Sequence, residues 1–321
     1  MNNDQKTILV TGGAGFIGSH LVDALIERGY SSIVVIDDLS LGRLSNLDNA
    51  RQRNSDIEFY KMDLAVDDLL ALRDKHFDIA FHMAVIPLPA SLVHPKETVD
   101  RNIAMTTAVC EMARNRQIRR LINFSSSEVY GSAKIVPMNE EHPMEPSTPY
   151  AASKMAGDAV VFSYMETFGI DAVTVRPFNN YGPRQNDTIY AGIIPIIINR
   201  ALKRNPIFIF GNGMQTRDFI FAKDTVNAAI DFALKTEYSK GEEINIASGK
   251  ETSVNELVST ILQIMDVEDL PIEYHPPRPG DVRRHLADIT KAKQLINFEP
   301  KTTLIDGLEN TIKWYKEKNN R

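Results

Sequence analysis

The sequence predicts an α/β protein with a doubly wound parallel sheet, followed by a smaller lobe of mixed α/β structure. Two observations carry this prediction. Short apolar runs of strand length alternate with helix-length segments through the first half of the chain. Beyond about residue 180, proline and glycine become frequent, and short strands and helices mix without a regular period. We therefore assign residues 1–180 to a first domain and mainly 181–321 to a second, with 222–248 expected to return to the first.

Six runs in the first half are expected to form the strands of the sheet. Each is short and largely apolar, as in parallel strands that are buried on both faces. They lie at 7–10, 33–37, 57–60, 79–83, 120–125 and 172–176. Ligands of such sheets bind beyond the carboxyl ends of the strands, so the polar residues there are candidates for a binding site. A further helix is predicted at 222–235, where the chain returns to this core.

A glycine-rich turn joins the first strand to a helix. Its glycines, Gly12, Gly15 and Gly18, have the spacing G-x-x-G-x-x-G. Gly12 can form the tight turn, Gly15 lets the backbone approach a pyrophosphate, and Gly18 lets the helix pack closely on the strand. The free N–H groups at the start of the helix attract the same phosphates. The pattern predicts a Rossmann-type dinucleotide site.

The dinucleotide is predicted to be NAD because the second strand ends in a carboxylate. Asp37 lies 19 residues after Gly18, where a carboxylate accepts hydrogen bonds from the adenine ribose and repels a 2′-phosphate. Asp38 belongs either to this site or to a solvated turn, and Arg43 is the one nearby feature that would suit NADP. Asp63, after the third strand, is placed to meet the adenine.

Composition and charge argue against several classes of function. The 321 residues carry a net charge of −6, which disfavours a nucleic-acid or anionic-membrane partner. No apolar run approaches the roughly 18 residues of a membrane span, and the first residues lack the apolar region of a signal peptide. Cys110 is the only cysteine, so an intrachain disulfide is impossible and a cytoplasmic location is expected. No metal site is predicted.

The pair Tyr150 and Lys154 points to catalysis. The spacing places both side chains on one face of a helix, one turn apart. An ammonium beside a phenol favours the phenolate, so we expect the pKa of Tyr150 to lie below its usual value of about 10. Such a phenol can take a proton from a hydroxyl while hydride leaves the same carbon. Upstream, Ser125 or Ser126 can donate to the oxygen that becomes a carbonyl; the alternative is a serine-rich turn.

Together these motifs identify a family resemblance that covers nearly the whole chain. The matching segments are 11–18, 36–38, 81–84, 125–131, 150–154, 176–179, 181–183, 217–218 and 278–281. They resemble those of the extended short-chain dehydrogenase/reductases, specifically the NAD-dependent nucleotide-sugar epimerases and dehydratases. The resemblance implies an enzyme that holds NAD tightly, oxidises sugar C4 to a ketone and later returns the hydride.

The resemblance also implies the residues around each ligand. For the cofactor these are Gly12, Gly15, Phe16, Ile17, Gly18, Asp37, Asp38, Asp63, Leu64, Ala84, Asn102, Tyr150, Lys154 and Pro177. For a UDP-sugar they are Asn179, Ile194, Phe210, Arg217, Arg278 and Asp281. Ser127 and Glu128 join Ser125, Ser126, Tyr150 and Lys154 as catalytic candidates. A homodimer is implied as well, through a four-helix interface that includes the helix at 150–168 with Val160, Val161, Tyr164 and Met165.

The reaction that follows the 4-ketone depends on two neighbouring residues. Glu128 could remove the C5 proton, as in 4,6-dehydratases, but the acid that dTDP-glucose dehydratases place before it is Ser127 here. The segment 278–288 looks most like UDP-sugar 4-epimerases. We favour 4-epimerisation of a UDP-hexose, either glucose/galactose or the N-acetyl forms, with the 4,6-dehydratase as the alternative. A UDP-glucuronate decarboxylase would need an arginine such as Arg184 or Arg283, and a non-catalytic NAD-sensing module would not need the serine, tyrosine and lysine.

Overall fold

A seven-stranded parallel sheet forms the centre of the protein. The computed structural model describes residues 6–54, 56–188, 190–235, 240–277 and 282–319. The strands in chain order are β1 (Thr7–Thr11), β2 (Ser32–Asp37), β3 (Glu58–Lys61), β4 (Ile79–His82), β5 (Leu121–Phe124), β6 (Ala172–Pro177), β7 (Asn179–Tyr181), β8 (Ile207–Phe210), β9 (Thr216–Arg217), β10 (Phe219–Phe221), β11 (Glu243–Ile246), β12 (Thr252–Ser253) and β13 (Ile272–His275). The α-helices are α1 (Phe16–Glu27), α2 (Asp48–Arg53), α3 (Leu88–Ser91), α4 (Pro95–Arg114), α5 (Pro149–Phe168), α6 (Ile193–Leu202), α7 (Ala222–Leu234), α8 (Val254–Met265), α9 (Thr290–Ile296) and α10 (Leu304–Asn319).

The order of strands in the central sheet is β11-β6-β5-β4-β1-β2-β3, and every neighbouring pair is parallel. The six predicted runs match β1 to β6 to within one residue at each end. Because β1 has β2 on one side and β4 on the other, the direction of winding reverses there. Thr11, its last residue, pairs with Ile36 and with His82. The predicted doubly wound α/β fold is confirmed, and its switch point lies at the glycine-rich turn.

Both faces of the sheet are buried except at the edge strand β3, and this burial explains the apolar runs of the other strands. Side chains alternate between faces along a strand, so Ile8 and Val10 pack on one side of β1 and Leu9 on the other. The first side is covered by α1 and α7, and the second by α4 and α5. A sheet covered in this way needs apolar residues at every position rather than at alternate ones.

The segment 222–248 supplies α7 and the seventh strand of the sheet. In β11, Glu243 pairs with Thr174 and Ile246 with Pro177 of β6. The strand therefore joins the central sheet after the chain has already passed through β7 to β10. The domain boundaries assigned above stay a proposal.

The described residues beyond β6 form three two-stranded sheets, and the second lobe has its own apolar core. The pairs are β10 with β7, β12 with β9, and β13 with β8. Helices α6, α8 and α10 bury Ile198, Leu257 and Leu308 against one another. Helix α8 begins with a capping box, in which Ser253 and Glu256 each bond the backbone N–H of the other. The lobe faces the carboxyl ends of the central strands across a cleft.

Helices α4 and α5 have 20 residues each, and they pack against each other. Within the described parts of the chain, no helix combines the length and the apolar character needed to cross a bilayer. Phe162 and Phe168 of α5 are exposed.

Candidate functional site

A cleft of about 1060 Å³ lies at the carboxyl ends of the central strands. It brings together residues that are far apart in the sequence and that sequence reasoning singled out. Those that line it are Gly12, Gly15, Phe16, Ile17, Gly18, Asp37, Asp38, Asp63, Leu64, Ala84, Ser125, Ser126, Ser127, Glu128, Tyr150, Lys154, Pro177 and Asn179. The glycine-rich turn and the Tyr150 region therefore share one continuous cavity.

The glycine-rich turn is packed so closely that larger residues would not fit. Gly12 has a φ of +69°, and a Cβ there would lie 2.7 Å from the backbone nitrogen of Ala84. A Cβ at Gly18 would lie 2.1 Å from the carbonyl oxygen of Gly12. Helix α1 begins directly after Gly15, so its free N–H groups end at the cleft. These features fit the pyrophosphate of a dinucleotide.

Asp37 holds the turn and the end of β2 together. Its carboxylate accepts hydrogen bonds from the backbone nitrogens of Ala14, at 3.0 Å, and Leu39, at 2.9 Å. Burial raises the pKa of Asp37, although these hydrogen bonds oppose the shift. A carboxylate at this position can still accept from a ribose hydroxyl, because each oxygen has two lone pairs.

Arg101 of α4 links the two other carboxylates at this end of the cleft. It forms an ion pair with Asp63 and lies 3.8 Å from Asp38 and 3.5 Å from Glu97. Within the described residues, its buried Nε has no hydrogen-bond partner. Arg101 was not predicted, because in the sequence it cannot be distinguished from the other charged residues on the polar face of a helix.

Tyr150 and Lys154 lie on the first turns of α5. Thr148 caps this helix by accepting a hydrogen bond from the nitrogen of Ala151 at 3.1 Å, and Pro149 occupies its first position. Both catalytic candidates line the cleft, and Tyr150 is hydrogen-bonded to Ser126. A phenol and a hydroxyl are therefore in contact, and the ammonium of Lys154 lines the same cleft.

The pKa of Tyr150 shifts in the direction opposite to the one we expected. Burial raises it to about 12 and outweighs the hydrogen bond with Ser126, and the negative charges of Glu128 and Asp158 raise it further. Burial also lowers the pKa of Lys154 to about 8, against the opposing effect of Asp158. The prediction of a lowered Tyr150 pKa considered only the lysine; desolvation of the phenolate is the larger effect.

A buried network of charges lies behind the catalytic candidates. Asp158, one turn after Lys154, accepts hydrogen bonds from the Ser125 hydroxyl at 2.7 Å and from Asn123 at 3.0 Å. Arg176, which is completely buried, pairs with Asp158 at 3.3 Å and with Glu243 at 2.8 Å. The hydroxyl of Ser125 is therefore bonded to Asp158, whereas the hydroxyl of Ser126 is bonded to Tyr150.

Ser127 and Glu128 begin a short 3-10 helix at the wall of the cleft. Ser126 caps it by accepting a hydrogen bond from the nitrogen of Glu128 at 3.2 Å. Glu128 is close enough for its charge to raise the pKa of Tyr150. Ser127 is only 2% exposed, although it also contributes to the lining.

Several other predicted residues lie away from this lining. Asn102 is behind it, where its amide bonds both the nitrogen and the oxygen of Ile86. Ile194 is buried in the core of the second lobe, and the ring of Phe210 lies beside His275. Arg217 is on β9, where it donates to the carbonyl oxygen of Thr216. The remaining two, Arg278 and Asp281, lie outside the described residues.

Arg184 lines the cleft, but its guanidinium is already paired and is not available to bind a sugar carboxylate. Its guanidinium forms an ion pair with Asp23 and also contacts His20 and Asn46. Sequence reasoning considered Arg184 only for a decarboxylase and missed the other three residues, because they come from α1 and from the loop after β2. No local pattern in the sequence connects them.

Comparisons with known proteins point in the same direction as this geometry. A family model described as GDP-mannose 4,6 dehydratase matches residues 9–311. The UDP-glucose 4-epimerase of Mycolicibacterium smegmatis is 37% identical over 314 residues, covering 97% of this chain and 98% of that protein. The solved UDP-glucose 4-epimerase of Thermotoga maritima with UDP-glucose has a TM-score of 0.90 and 33% identity, covering 98% of this chain and 99% of that chain. The dTDP-glucose 4,6-dehydratase DesIV of Streptomyces venezuelae, solved with NAD, has a TM-score of 0.91 and 29% identity, covering 98% of both chains.

Proposed function

Because the chain belongs to the NAD-dependent nucleotide-sugar epimerase/dehydratase family, we propose that it is a 4-epimerase acting on a UDP-hexose. The family resemblance and the family's cofactor, NAD, are the ones that the sequence predicted, and both predictions are confirmed. The observation that carries the choice of reaction is the arrangement of Ser126, Tyr150 and Glu128, with Ser127 before the glutamate.

In the proposed reaction, Tyr150 and Ser126 act on the C4 hydroxyl of the sugar. The phenolate of Tyr150 takes the hydroxyl proton, and the Ser126 hydroxyl donates to the same oxygen as it becomes a ketone. Bound NAD supplies the hydride acceptor and, in its oxidised form, a positive charge. Lys154 supplies a second cation while it is protonated, and positive charges of this kind favour the phenolate against its burial.

Ser127 supports epimerisation over dehydration. Loss of water from a 4-keto sugar needs a base for the C5 proton and an acid for the departing C6 hydroxyl. Glu128 is a suitable base and is the observation that favours the 4,6-dehydratase as second candidate. An alcohol such as Ser127 is a poor acid in place of a carboxyl group. Epimerisation needs neither step, only a ketone that receives hydride on its opposite face.

The charge pattern of the cleft disfavours a uronic acid as substrate. Three arginines contribute to its described lining, and all are paired with carboxylates: Arg43 with Asp187, Arg101 with Asp63, and Arg184 with Asp23. A decarboxylase of UDP-glucuronate would need one of them for its substrate. A module that only senses NAD would have no use for the bond between Tyr150 and Ser126.

The residues of the second lobe remain part of the proposal. We keep Asn179, Arg217, Arg278 and Asp281 as candidates for holding the UDP group, together with Ile194 and Phe210 in the lobe around it. A homodimer through α4 and α5 is supported by the exposed Phe162 and Phe168 on α5. The four residues expected at the interface are less available, since Val161 is buried in the protein's own core and Val160, Tyr164 and Met165 pack against that core. A cytoplasmic location and the absence of nucleic-acid and membrane partners stay predictions.

The experiment is an incubation of the purified protein with UDP-glucose or UDP-N-acetylglucosamine, without added reductant, followed by NMR. The expected product is the corresponding galacto sugar. A 4-keto-6-deoxy sugar would replace this proposal with the dehydratase. No change with any UDP-, dTDP- or GDP-hexose would contradict both candidates.

A further inference from the structure

A short segment of the second lobe lines the cleft and contacts α1. Residues 182–187, here called the interlobe segment, follow directly after β7. Arg184 is at its centre and has a φ of +66°, in the left-handed region that non-glycine residues rarely adopt. A backbone conformation of this kind persists where the surrounding contacts fix it.

The guanidinium of Arg184 makes three contacts with the dinucleotide-binding core. It pairs with the carboxylate of Asp23 and donates to the carbonyl oxygen of Asn46 at 2.8 Å and to Nδ1 of His20 at 3.1 Å. The side chains of Arg184 and Asp23 are 15% and 11% exposed, so water competes little for these bonds. Charge-assisted hydrogen bonds in such surroundings are stronger than those between neutral groups.

His20 fixes the interlobe segment at a second point. Its Nε2 lies 2.8 Å from the carbonyl oxygen of Pro183, and because a carbonyl can only accept, this nitrogen carries the proton. Its Nδ1 is then free to accept from Arg184. Burial, with the nearby charge of Arg184, lowers the pKa of His20 to about 3, so the ring stays neutral and keeps this pair of roles.

Asn46 connects Arg184 to the glycine-rich turn itself. Its side-chain amide donates to the carbonyl oxygen of Ala14 at 2.8 Å, and the backbone nitrogen of Arg43 donates to the same oxygen at 3.0 Å. Ala14 lies between the glycines that face the cleft. A movement of Arg184 away from Asn46 therefore loosens the loop that supports the turn.

The far side of the interlobe segment is held by the last helix. The hydroxyl of Tyr315 donates to the carbonyl oxygen of Gln185 at 2.5 Å, and Lys318 forms an ion pair with Asp187. Both residues belong to α10, so the segment is bonded on one side to α1 and on the other to the second lobe.

We propose that Arg184 is a cofactor-retention residue, which keeps NAD in the cleft by bonding the interlobe segment to both α1 and the loop after β2. The interlobe segment and that loop both contribute to the cleft lining, as does the glycine-rich turn between them. Separation of these walls would open the cleft around a dinucleotide bound at the turn, and it breaks all three contacts of the guanidinium. The inference requires NAD as cofactor but does not depend on which sugar reaction follows.

The test is the rate at which the NAD-loaded protein releases its cofactor in the absence of any sugar. Released NAD is captured by alcohol dehydrogenase with ethanol and followed by NADH fluorescence. Arg184→Met is expected to release NAD at least tenfold faster than the unsubstituted protein and to retain less NAD through purification. Arg184→Lys keeps the charge but not the forked geometry, so an intermediate rate is expected.

Arg28→Met is the matched control. Arg28 also belongs to the α1 region, pairs with Asp231 at 2.5 Å and donates to Asn227, but it does not line the cleft. A loss of general stability would accelerate release in both methionine variants, whereas loss of retention affects only Arg184→Met. Equal release rates for the two variants, or an unchanged rate in Arg184→Met, would overturn the proposal. If Arg184→Met does not fold, an unchanged rate in Arg184→Lys overturns it as well.

Discussion

Ser125 and Ser126 are adjacent in the sequence, but their hydroxyls have different partners. Ser125 donates to the buried carboxylate of Asp158, and Ser126 is bonded to the phenol of Tyr150. A run of three serines does not indicate which hydroxyl reaches the substrate. From these contacts we propose Ser126 as the donor to the sugar oxygen and a structural role for Ser125.

Ser126→Ala is expected to lower kcat by about 100-fold or more, because a hydrogen-bond donor to the forming ketone is lost. Ser126→Thr keeps the hydroxyl and should restore most of the activity. Ser125→Ala is the neighbouring control: it should keep most of the turnover but lose about 1–3 kcal/mol of unfolding free energy, because Asp158 loses a donor. Steady-state kinetics and urea unfolding measure both effects. A larger loss of kcat in Ser125→Ala would reverse these assignments.

Glu128→Gln is expected to leave epimerase turnover almost unchanged at its optimum pH. It should also move the acidic limb of the pH–rate profile to lower pH. The negative charge of Glu128 raises the pKa of Tyr150, so its removal lowers that pKa and the phenolate forms more readily.

Glu145→Gln is the control for this change, since Glu145 is an exposed carboxylate paired with Lys134. Its profile should superimpose on that of the unsubstituted protein. An acidic limb that stays in place in Glu128→Gln would contradict the proposed coupling. Complete loss of epimerase turnover would contradict the proposal that epimerisation does not need Glu128.

At the scale of elements, one buried arginine joins three of them. Arg176 lies on β6 and pairs with Asp158 of α5 and with Glu243 of β11. Asp158 also accepts a hydrogen bond from the side chain of Asn123 on β5. The helix that carries Tyr150 and Lys154 is therefore attached to the sheet by charges as well as by apolar packing. We expect this attachment to fix the position of Tyr150 and Lys154 relative to Ser125 and Ser126.

Arg176→Met is expected to lower the free energy of unfolding by about 3–5 kcal/mol, because two carboxylates are left without their buried partner. Urea unfolding followed by circular dichroism measures the loss. Arg204→Met is the surface control: Arg204 and its partner Asp269 are both exposed, and a change below about 1 kcal/mol is expected. Similar losses in the two variants would contradict the role of the network.

The strands were predictable from the sequence because burial on both faces leaves an unbroken apolar run. The glycine-rich turn and Asp37 were predictable for a related reason, since their chemistry depends on local spacing. The network around Arg176 was not, because its members come from separate elements and each reads alone as an ordinary charged residue. The direction of the Tyr150 pKa shift was missed because it depends on burial, which a helical spacing does not reveal.

At the scale of the whole molecule, three of the described histidines have a lowered pKa in the folded protein and influence the response to acid. Burial lowers the pKa of His20 and His82 to about 3 and that of His285 to about 4. In the unfolded chain these groups titrate near 6.5. Below that pH the unfolded state binds more protons than the folded state, so these histidines make the free energy of unfolding decrease as the pH is lowered. Five of the described carboxyl groups act oppositely, because burial raises the pKa of Asp218 to about 6 and also raises the pKa of Asp37, Glu140, Asp158 and Glu243. We expect the histidines to outweigh them between pH 7 and pH 5, because the unfolded histidines take up their protons within this range.

The free energy of unfolding is therefore expected to be lower at pH 5 than at pH 7. Denaturant titrations at both values measure the difference. His285→Gln keeps a donor for the carbonyl oxygen of Gly131 but does not titrate, so the difference should become smaller. The exposed His94 is the control, and His94→Gln should behave like the unsubstituted protein. Equal stability at the two pH values would contradict the dominance of the histidines over the buried carboxyl groups.

The late position of β11 in the chain has a consequence for synthesis on the ribosome. Strand β6 ends at Pro177, and its neighbour begins only at Glu243, 66 residues later. Because translation proceeds at about 5–20 residues per second, β11 is synthesised roughly 3–13 s after β6. During that interval the nascent chain presents an unpaired edge lined by apolar side chains such as Val173 and Val175, a template for association with other chains. Yield in a heterologous host should therefore depend on how quickly the ribosome translates residues 178–242.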